Sequence, residues 1–452
     1  MSWMTATLGT TSSNESIFLF VKRFAGVGAV GFLTHVAEYS SFLVVLVYLS
    51  DKLTVTFALG TIGYVFVGSI SGIYLITSGL ISVPMGHLCD KYGRRRFTIL
   101  GGVLGAISLG SLIVANQFNS LPEFLVAMAV SLCALGIAHG TYTSSTLSYS
   151  GDLAEKYETM GKAYGLVDGA EFAGFAFGPA LGTAIAVLTN SRIAVFQGAL
   201  YLMLASAVIA VFLMPEIKRA PHAASENRAA TPVNVESHPL GIDALHEDEH
   251  GHSASWADYI QAFRTPIVSV ALLTTIDGAI GFAGFFQFVP IYANTLRGTV
   301  PIFGLVYGYF PSIMAITTVT VMIPLGHVMD RGKRRMPILV GGLIGSSISI
   351  AAVFFNSTLP TFVVASFAHG VFIAMIRISQ LLILGEASNP SNRAAIMGTN
   401  HAMEHAGYGI AAVSVGFLVG FLGFISAFRA LSLILLLAGV LFLVYAYIKK
   451  VR

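Results

Sequence analysis

Apolar stretches of about 20 residues, the length that crosses a bilayer core, recur twelve times along this chain and are separated by short polar breaks. Helices are expected near 25–49, 61–86, 97–116, 122–148, 161–188, 194–214, 267–294, 301–327, 337–355, 359–385, 394–420 and 424–447. Only 10% of the residues are charged and the mean hydropathy is +0.78, whereas a soluble domain carries roughly 25% charged residues. Lipid is therefore the expected solvent, and the fold class is an all-α membrane protein. Met1–Ser16 lack the basic start and cleavage site of a signal peptide, so the first helix is expected to be retained.

Basic residues orient the bundle. With both termini inside, the inner segments hold most of the Lys and Arg, including Lys22, Arg23, Arg94–Arg96, Lys333–Arg335, Lys449 and Lys450; the outer loops hold only Lys52, Arg192 and Arg297. An even helix count with cytoplasmic termini in the plasma (inner) membrane is expected. The net charge of +3 is read as a topology signal, with no nucleic-acid partner. Cys89, expected in a loop, and Cys133, in a helix, offer neither a disulfide framework nor a metal cage.

Between Pro215 and Arg264 the apolar pattern stops, and Ala, Pro, Ser, His and acidic residues take over. The expected domains are an N-terminal segment 1–24, a six-helix bundle 25–214, a cytoplasmic linker 215–264 with an amphipathic piece at Trp256–Phe263, a second bundle 265–448, and a tail 449–452. Three internal echoes relate the bundles. Pro84–Arg96 aligns without gaps on Pro324–Met336; Ala138-His139-Gly140 matches Ala368-His369-Gly370; Gly165, Asp168, Glu171 and Gly174 match Gly398, His401, Glu404 and Gly407. Parallel repeats of this kind place a site between the halves near the bilayer midplane.

The stretch Gly86-His-Leu-Cys-Asp90-Lys-Tyr-Gly93-Arg94-Arg-Arg96 resembles the loop between helices 2 and 3 of the major facilitator superfamily, and Gly326–Arg335 its weaker copy between helices 8 and 9. Helix count, linker and repeat order agree with that resemblance over essentially the whole chain. It implies a secondary transporter, not an enzyme, with a conformational latch at Gly86, Asp90, Gly93, Arg94, Asp330 and Arg334. The glycines are expected to allow close backbone approach and a tight turn, and Asp90 to accept hydrogen bonds at a helix N-terminus. In the second copy Lys333 replaces Gly93, with Gly332 one place earlier. Gly178-Pro179 in helix 5, with Gly169, Gly174 and Gly182 around it, resembles the Gly-Pro motif of the family's antiporters and implies export by antiport.

Charges at membrane depth are costly and mark function by default. His35 and Glu38, Asp168 and Glu171, and His401, Glu404 and His405 each share a helix face, being three or four residues apart. His35, Glu38, His139, Asp277, His369 and Arg377 are expected to bind a substrate, and Asp168, Glu171, His401, Glu404 and His405 to couple protons, since imidazoles titrate near neutral pH. His401, Glu404 and His405 also suit a divalent metal. Alternatively these side chains only pair with one another, or with Arg377, to hold the bundle. The linker histidines 222, 238, 246, 250 and 252 keep a metal substrate in view. The His-x-x-Glu-His string is also that of a zinc-peptidase helix, a weak signal inside an apolar segment.

The expected function is proton-coupled export of a cationic or amphiphilic small molecule by a monomer in lipid, with no cofactor; no phosphate-binding Gly-x-x-x-x-Gly-Lys-Ser/Thr loop is present for ATP. Carboxylates outnumber the one deep arginine, which favours a cation. A divalent transition-metal exporter is the alternative within transport, and an uncoupled lipid scramblase or receptor the alternative outside it.

Overall fold

A computed structural model describes residues 17–156, 160–214, 266–299, 301–332, 335–386 and 393–448; within them the side chains of Asp90, Asp168, Asp330 and His401 lie outside the description, as do Arg334 and the whole 215–265 stretch. The chain forms α1 (Ile17–Asp51), α2 (Gly63–Tyr92), α3 (Arg94–Ala115), α4 (Leu121–Lys156), α5 (Met160–Thr189), α6 (Arg192–Leu213), α7 (Pro266–Thr295), α8 (Tyr309–Gly332), α9 (Arg335–Phe355) and α10 (Leu359–Glu386). The last helical stretch, Arg393–Ile448, breaks at Gly423, whose φ of 73° only glycine adopts without strain. It therefore makes two arms, α11 (393–422) and α12 (424–448). Among the described residues eleven helices are long and apolar enough to cross a membrane, and the last of these, Ala402–Tyr445, runs 44 residues and contains the Gly423 break. Twelve crossings result.

Two details depart from expectation. The stretch read as a loop between the second and third helices is almost all helix: α2 continues past Pro84 to Tyr92, and Gly93 alone, at φ 96° and ψ 136°, separates it from α3. Cys89 consequently lies on α2 and is buried. The reason is that the apolar run of the sequence ends near residue 86, whereas backbone hydrogen bonding continues until a residue that tolerates positive φ. Gly86 was expected to permit close approach, but a Cβ built there would meet nothing within 4 Å. Of the two glycines, only Gly93 has a conformational reason to be glycine.

Within the first half α1 packs on α5 and α6, and α4 on α2 and α3; the second half repeats this with α7 on the α11–α12 arms and α10 on α8 and α9. Across the halves the main contacts are α2 against α11 and, as their counterpart, α8 against α5. The apolar windows of the α1 and α7 spans are 83% and 72% buried, against 39% for those of α4, α5 and α6. The first helices of the two halves thus form the centre, and the others present faces to lipid, such as Leu80, Phe212 and Val364. Many buried hydroxyls return a hydrogen bond to their own helix, as Ser41 does to the Ala37 carbonyl at 2.8 Å. An unpaired polar group in hydrocarbon would cost several kcal/mol.

The side opposite the start of α1, called outer below, is sealed. A Cβ on Gly68 of α2 would fall 2.3 Å from the Ala412 carbonyl oxygen and 2.8 Å from the Gly416 Cα. Backbones approach this closely only where side chains are absent. At the same end Asp51 accepts hydrogen bonds from Arg192 of its own half and, at 3.0 Å each, from Arg297 and Asn294 of the other half. Lys52 Nζ caps the end of α3 through the Asn116 carbonyl at 3.0 Å. The Asp51 cluster is partly exposed, with side chains 22–45% accessible, so its net worth is on the order of 1 kcal/mol. Asp51→Asn is expected to raise accessibility of the outer ends to thiol reagents about fivefold, more at low salt than at high salt; equal accessibility at both salt concentrations would show that the cluster closes nothing.

Candidate functional site

Two constellations of the expected residues form near mid-membrane. In the first, Glu38 of α1 is fully buried. Tyr74 of α2 and Tyr142 of α4 both donate to its carboxylate through their hydroxyls. His139, one turn before Tyr142, lies 2.7 Å from the same carboxylate through Nδ1 and 3.0 Å from the Tyr142 hydroxyl. Three donors satisfy a carboxylate that water does not reach, and an adjoining imidazole gives one proton two alternative seats. His35 donates from Nδ1 to the Gly31 carbonyl at 2.8 Å, stacks on Tyr39, and has its ring centre 5.9 Å from that of His139. Glu171 of α5 is buried nearby and accepts from Thr146 of α4 at 3.0 Å.

The second constellation lies on the other half. Arg377 of α10 donates to Glu404 of α11, and Tyr408 donates to the same carboxylate oxygen. The guanidinium also sits over the face of Phe172 of α5, 4.6 Å from the ring centre, so it spans the halves. Arg377 and Glu404 line a pocket of ≈ 440 Å³, counted out to its open mouth, together with Thr275 and Phe282 of α7, Ile373, Ile376 and Gln380 of α10, and Asn400 of α11. Asn400 and Gln380 lie near the ends of α11 and α10 on the side of Ile17 and Ile448, so the pocket extends from mid-membrane toward the inner side. From Phe282 an aromatic cluster continues across the halves: Phe175 lies 5.0 Å from Phe286 and 5.4 Å from Phe282, and Tyr39 meets Phe175 and Phe286 edge-on.

His405 links the two. Its ring centre lies 5.4 Å from that of His139 and 5.6 Å from that of Tyr408, and it follows Glu404 directly in the chain. The proposed binders thus divide: His35, Glu38 and His139 come together but do not line the pocket, whereas Arg377 lines it in company with Glu404. Asp277 is buried yet absent from the pocket wall formed by Thr275, Gly278, Ala279 and Phe282. His369 is likewise fully buried elsewhere, stacked on Phe285 at 4.4 Å and 2.8 Å from the Ser349 hydroxyl. Among the described residues no three His, Cys, Asp or Glu side chains form a group that would hold a metal; the side chain of His401 is outside that description. Sequence reasoning missed Tyr142, although its spacing from His139 puts both on one face, and it missed Asn400, Gln380 and Thr275, which carry no charge to attract notice.

The Major Facilitator Superfamily model matches residues 27–354 and 305–452. The chain belongs to the major facilitator superfamily. It is accordingly a multi-pass membrane transporter of the secondary type, not an enzyme. The fold is similar to the crystal structure of the nucleoside transporter NupG, with a TM-score of 0.67, 14% identity, and coverage of 95% of this chain and 99% of that one. A point mutant of NupG gives the same score at 15% identity, covering 95% and 100%. The human organic anion transporter MFSD10 (TETRAN) gives 0.62 at 14% identity, covering 93% and 99%. At these identities the likeness is one of fold. No curated protein matches the sequence significantly.

Proposed function

We propose that this major facilitator protein is a proton-coupled antiporter that exports an amphiphilic small organic molecule, with the proton carried on the Glu38–His139 pair and the solute held beside Arg377 and Glu404. The observation that carries the reading is the approach of His139 in one half to His405 in the other. Glu38 is sealed from solvent and closely surrounded by Tyr74, Tyr142 and His139, which leaves room for a proton and excludes a larger ligand. Glu404 instead faces an open pocket whose walls are part aromatic and apolar, from Phe282, Ile373 and Ile376, and part polar, from Thr275, Gln380 and Asn400. Because His405 adjoins Glu404, rocking of the halves that parts His139 from His405 also alters the solute site, and the two occupancies become linked. The proton role thereby moves from Glu404 to Glu38, and the solute role from Glu38 to Glu404. The Gly178-Pro179 likeness to antiporters supports the direction; the tight seat of α5 on α1 supplies its physical content, since a Cβ on Gly182 would lie 2.4 Å from the Ser40 carbonyl oxygen.

The test is transport in proteoliposomes. An imposed pH gradient should concentrate a solute that binds the purified protein, and dissipation of the gradient with an ionophore should abolish the concentration while leaving exchange. A scramblase or receptor on the same scaffold would concentrate nothing under either condition.

A further inference from the structure

Resting on the assignment of the coupled proton to Glu38 and His139, we propose that this proton exchanges with the inner side through water held by Ser78 and Thr143, along a hydroxyl-bearing face of α4 separate from the solute pocket. His139, Thr143, Thr146 and Ser150 follow one another at one-turn intervals and share a face of α4. All four are buried. Both α2 and α4 run inward, so that face descends from the Glu38 site toward the end of α4 at Lys156.

Two hydroxyls on this descent differ from their neighbours. Thr141, Ser145 and Ser150 return hydrogen bonds to carbonyls of α4 at 2.6, 2.8 and 2.7 Å, and Ser82 does the same on α2 at 2.8 Å. Thr146 bonds the Thr143 carbonyl at 3.1 Å and the Glu171 carboxylate at 3.0 Å. The hydroxyls of Ser78 and Thr143 have no partner among the described residues, although the two residues are only 0% and 5% exposed. Ser78 follows Tyr74 by one turn, and Thr143 follows His139 by one turn, so each lies just inward of a residue bonded to Glu38. Their helices touch at this level, since a Cβ on Gly140 would come within 2.6 Å of the Ser78 carbonyl oxygen. An unpaired hydroxyl at membrane depth is costly. A water that finds several polar partners removes that cost.

The other half treats the same positions differently. By the internal echoes, Ser78 corresponds to Thr318, whose hydroxyl is paired with the Met314 and Gly370 carbonyls at 2.9 and 3.1 Å. Thr143, Thr146 and Ser150 correspond to Ile373, Ile376 and Gln380, which line the solute pocket. One helix face thus serves the solute in one half and presents hydroxyls in the other. On release, the proton leaves the Glu38–His139 pair for the water, and the water gives one of its own to the next oxygen inward. Tyr74 and Tyr142 go on donating to the carboxylate left behind. The other titratable groups around the pair are His35 of α1, Glu171 of α5 and His405 of α11, and the variants keep all of them.

Infrared difference spectra of the purified full chain in lipid after a rapid pH drop follow protonation, with the Glu38 band defined by its loss in Glu38→Gln. Thr143→Val should slow the appearance of that band about tenfold, the effect of one hydrogen bond lost from the water, and leave its final amplitude unchanged. Ser78→Ala should slow it likewise. Thr143→Ser, which keeps the hydroxyl, and Thr141→Val, on another face of α4, should retain the wild-type rate. A wild-type rate in both Thr143→Val and Ser78→Ala, with the Glu38 band present, overturns the passage and leaves the coupling assignment standing. Equal slowing in Thr141→Val and Thr143→Val also overturns the passage, because the effect is then one of packing. Absence of a Glu38-dependent band in wild type at every pH overturns the coupling assignment and the passage with it.

Discussion

Glu38→Gln is expected to abolish accumulation driven by a pH gradient while sparing exchange of solute at equal concentrations. One pH unit supplies about 1.4 kcal/mol per proton, which sustains a roughly tenfold solute ratio at one-for-one exchange; in the variant the ratio should fall to about one. The substitution keeps size and one acceptor oxygen, and its NH2 obliges one of the groups that donate to the carboxylate, Tyr74, Tyr142 or His139, to turn and accept. It removes the group that takes up the proton. Solute-for-solute exchange needs no net proton movement, and the pocket at Arg377 and Glu404 is lined by other residues. The measurement is radiolabelled uptake into proteoliposomes with and without the gradient, with monodispersity checking the fold. Wild-type accumulation by the variant would remove Glu38 from the coupling path.

Gly308→Val should shift the protein away from the outer-closed arrangement. A Cβ at Gly308 would lie 1.9 Å from the Thr183 hydroxyl oxygen and 2.4 Å from the Pro179 carbonyl oxygen. One turn on, the Ser312 hydroxyl accepts from the Ala180 N–H at 3.1 Å. The first contact is with a side chain that can turn aside, but the second is with backbone that cannot. Overpacking of this kind costs about 1–3 kcal/mol. The contact joins the two halves, so the cost falls on the state in which the outer ends meet, and the ratio of states should move by about five- to 150-fold. With Cys89 and Cys133 replaced by Ser, modification of Leu381→Cys in the pocket by an impermeant reagent from the inner side should slow correspondingly. Gly298→Ala is the control, because a Cβ there meets nothing within 4 Å. Equal labelling in Gly308→Val and the control would show that the α5–α8 contact does not gate the pocket.

The expected helix boundaries fall within a few residues of the observed ones where the polar breaks are sharp, as at α6 and α10. They depart where the helix outlasts the apolar run, as at α2 and α4, because hydrogen bonding continues into the polar region until a cap or a glycine stops it. The break at Gly423 falls at the boundary expected between helices 394–420 and 424–447. The ion pair between Arg377 and Glu404 was open to view only as an alternative, since two residues far apart in the chain announce their charge but not their partner. The outer loops offered one unused hint: the few basic residues there include Arg192 and Arg297, the two that converge on Asp51.

What the amino-acid sequence determined by itself was the solvent, the helix count, the duplication and the family, because each depends on local hydrophobicity or on a motif within one stretch of chain. It also identified which residues are expensive at membrane depth. The tertiary structure decided which of them share a site. Glu38 and Glu404 look alike in sequence, each beside a histidine on an apolar helix, yet packing seals one behind Tyr74 and Tyr142 and leaves the other on a pocket wall opposite Phe282. That difference arises from contacts between helices distant in the chain, where burial and hydrogen-bond partners are set.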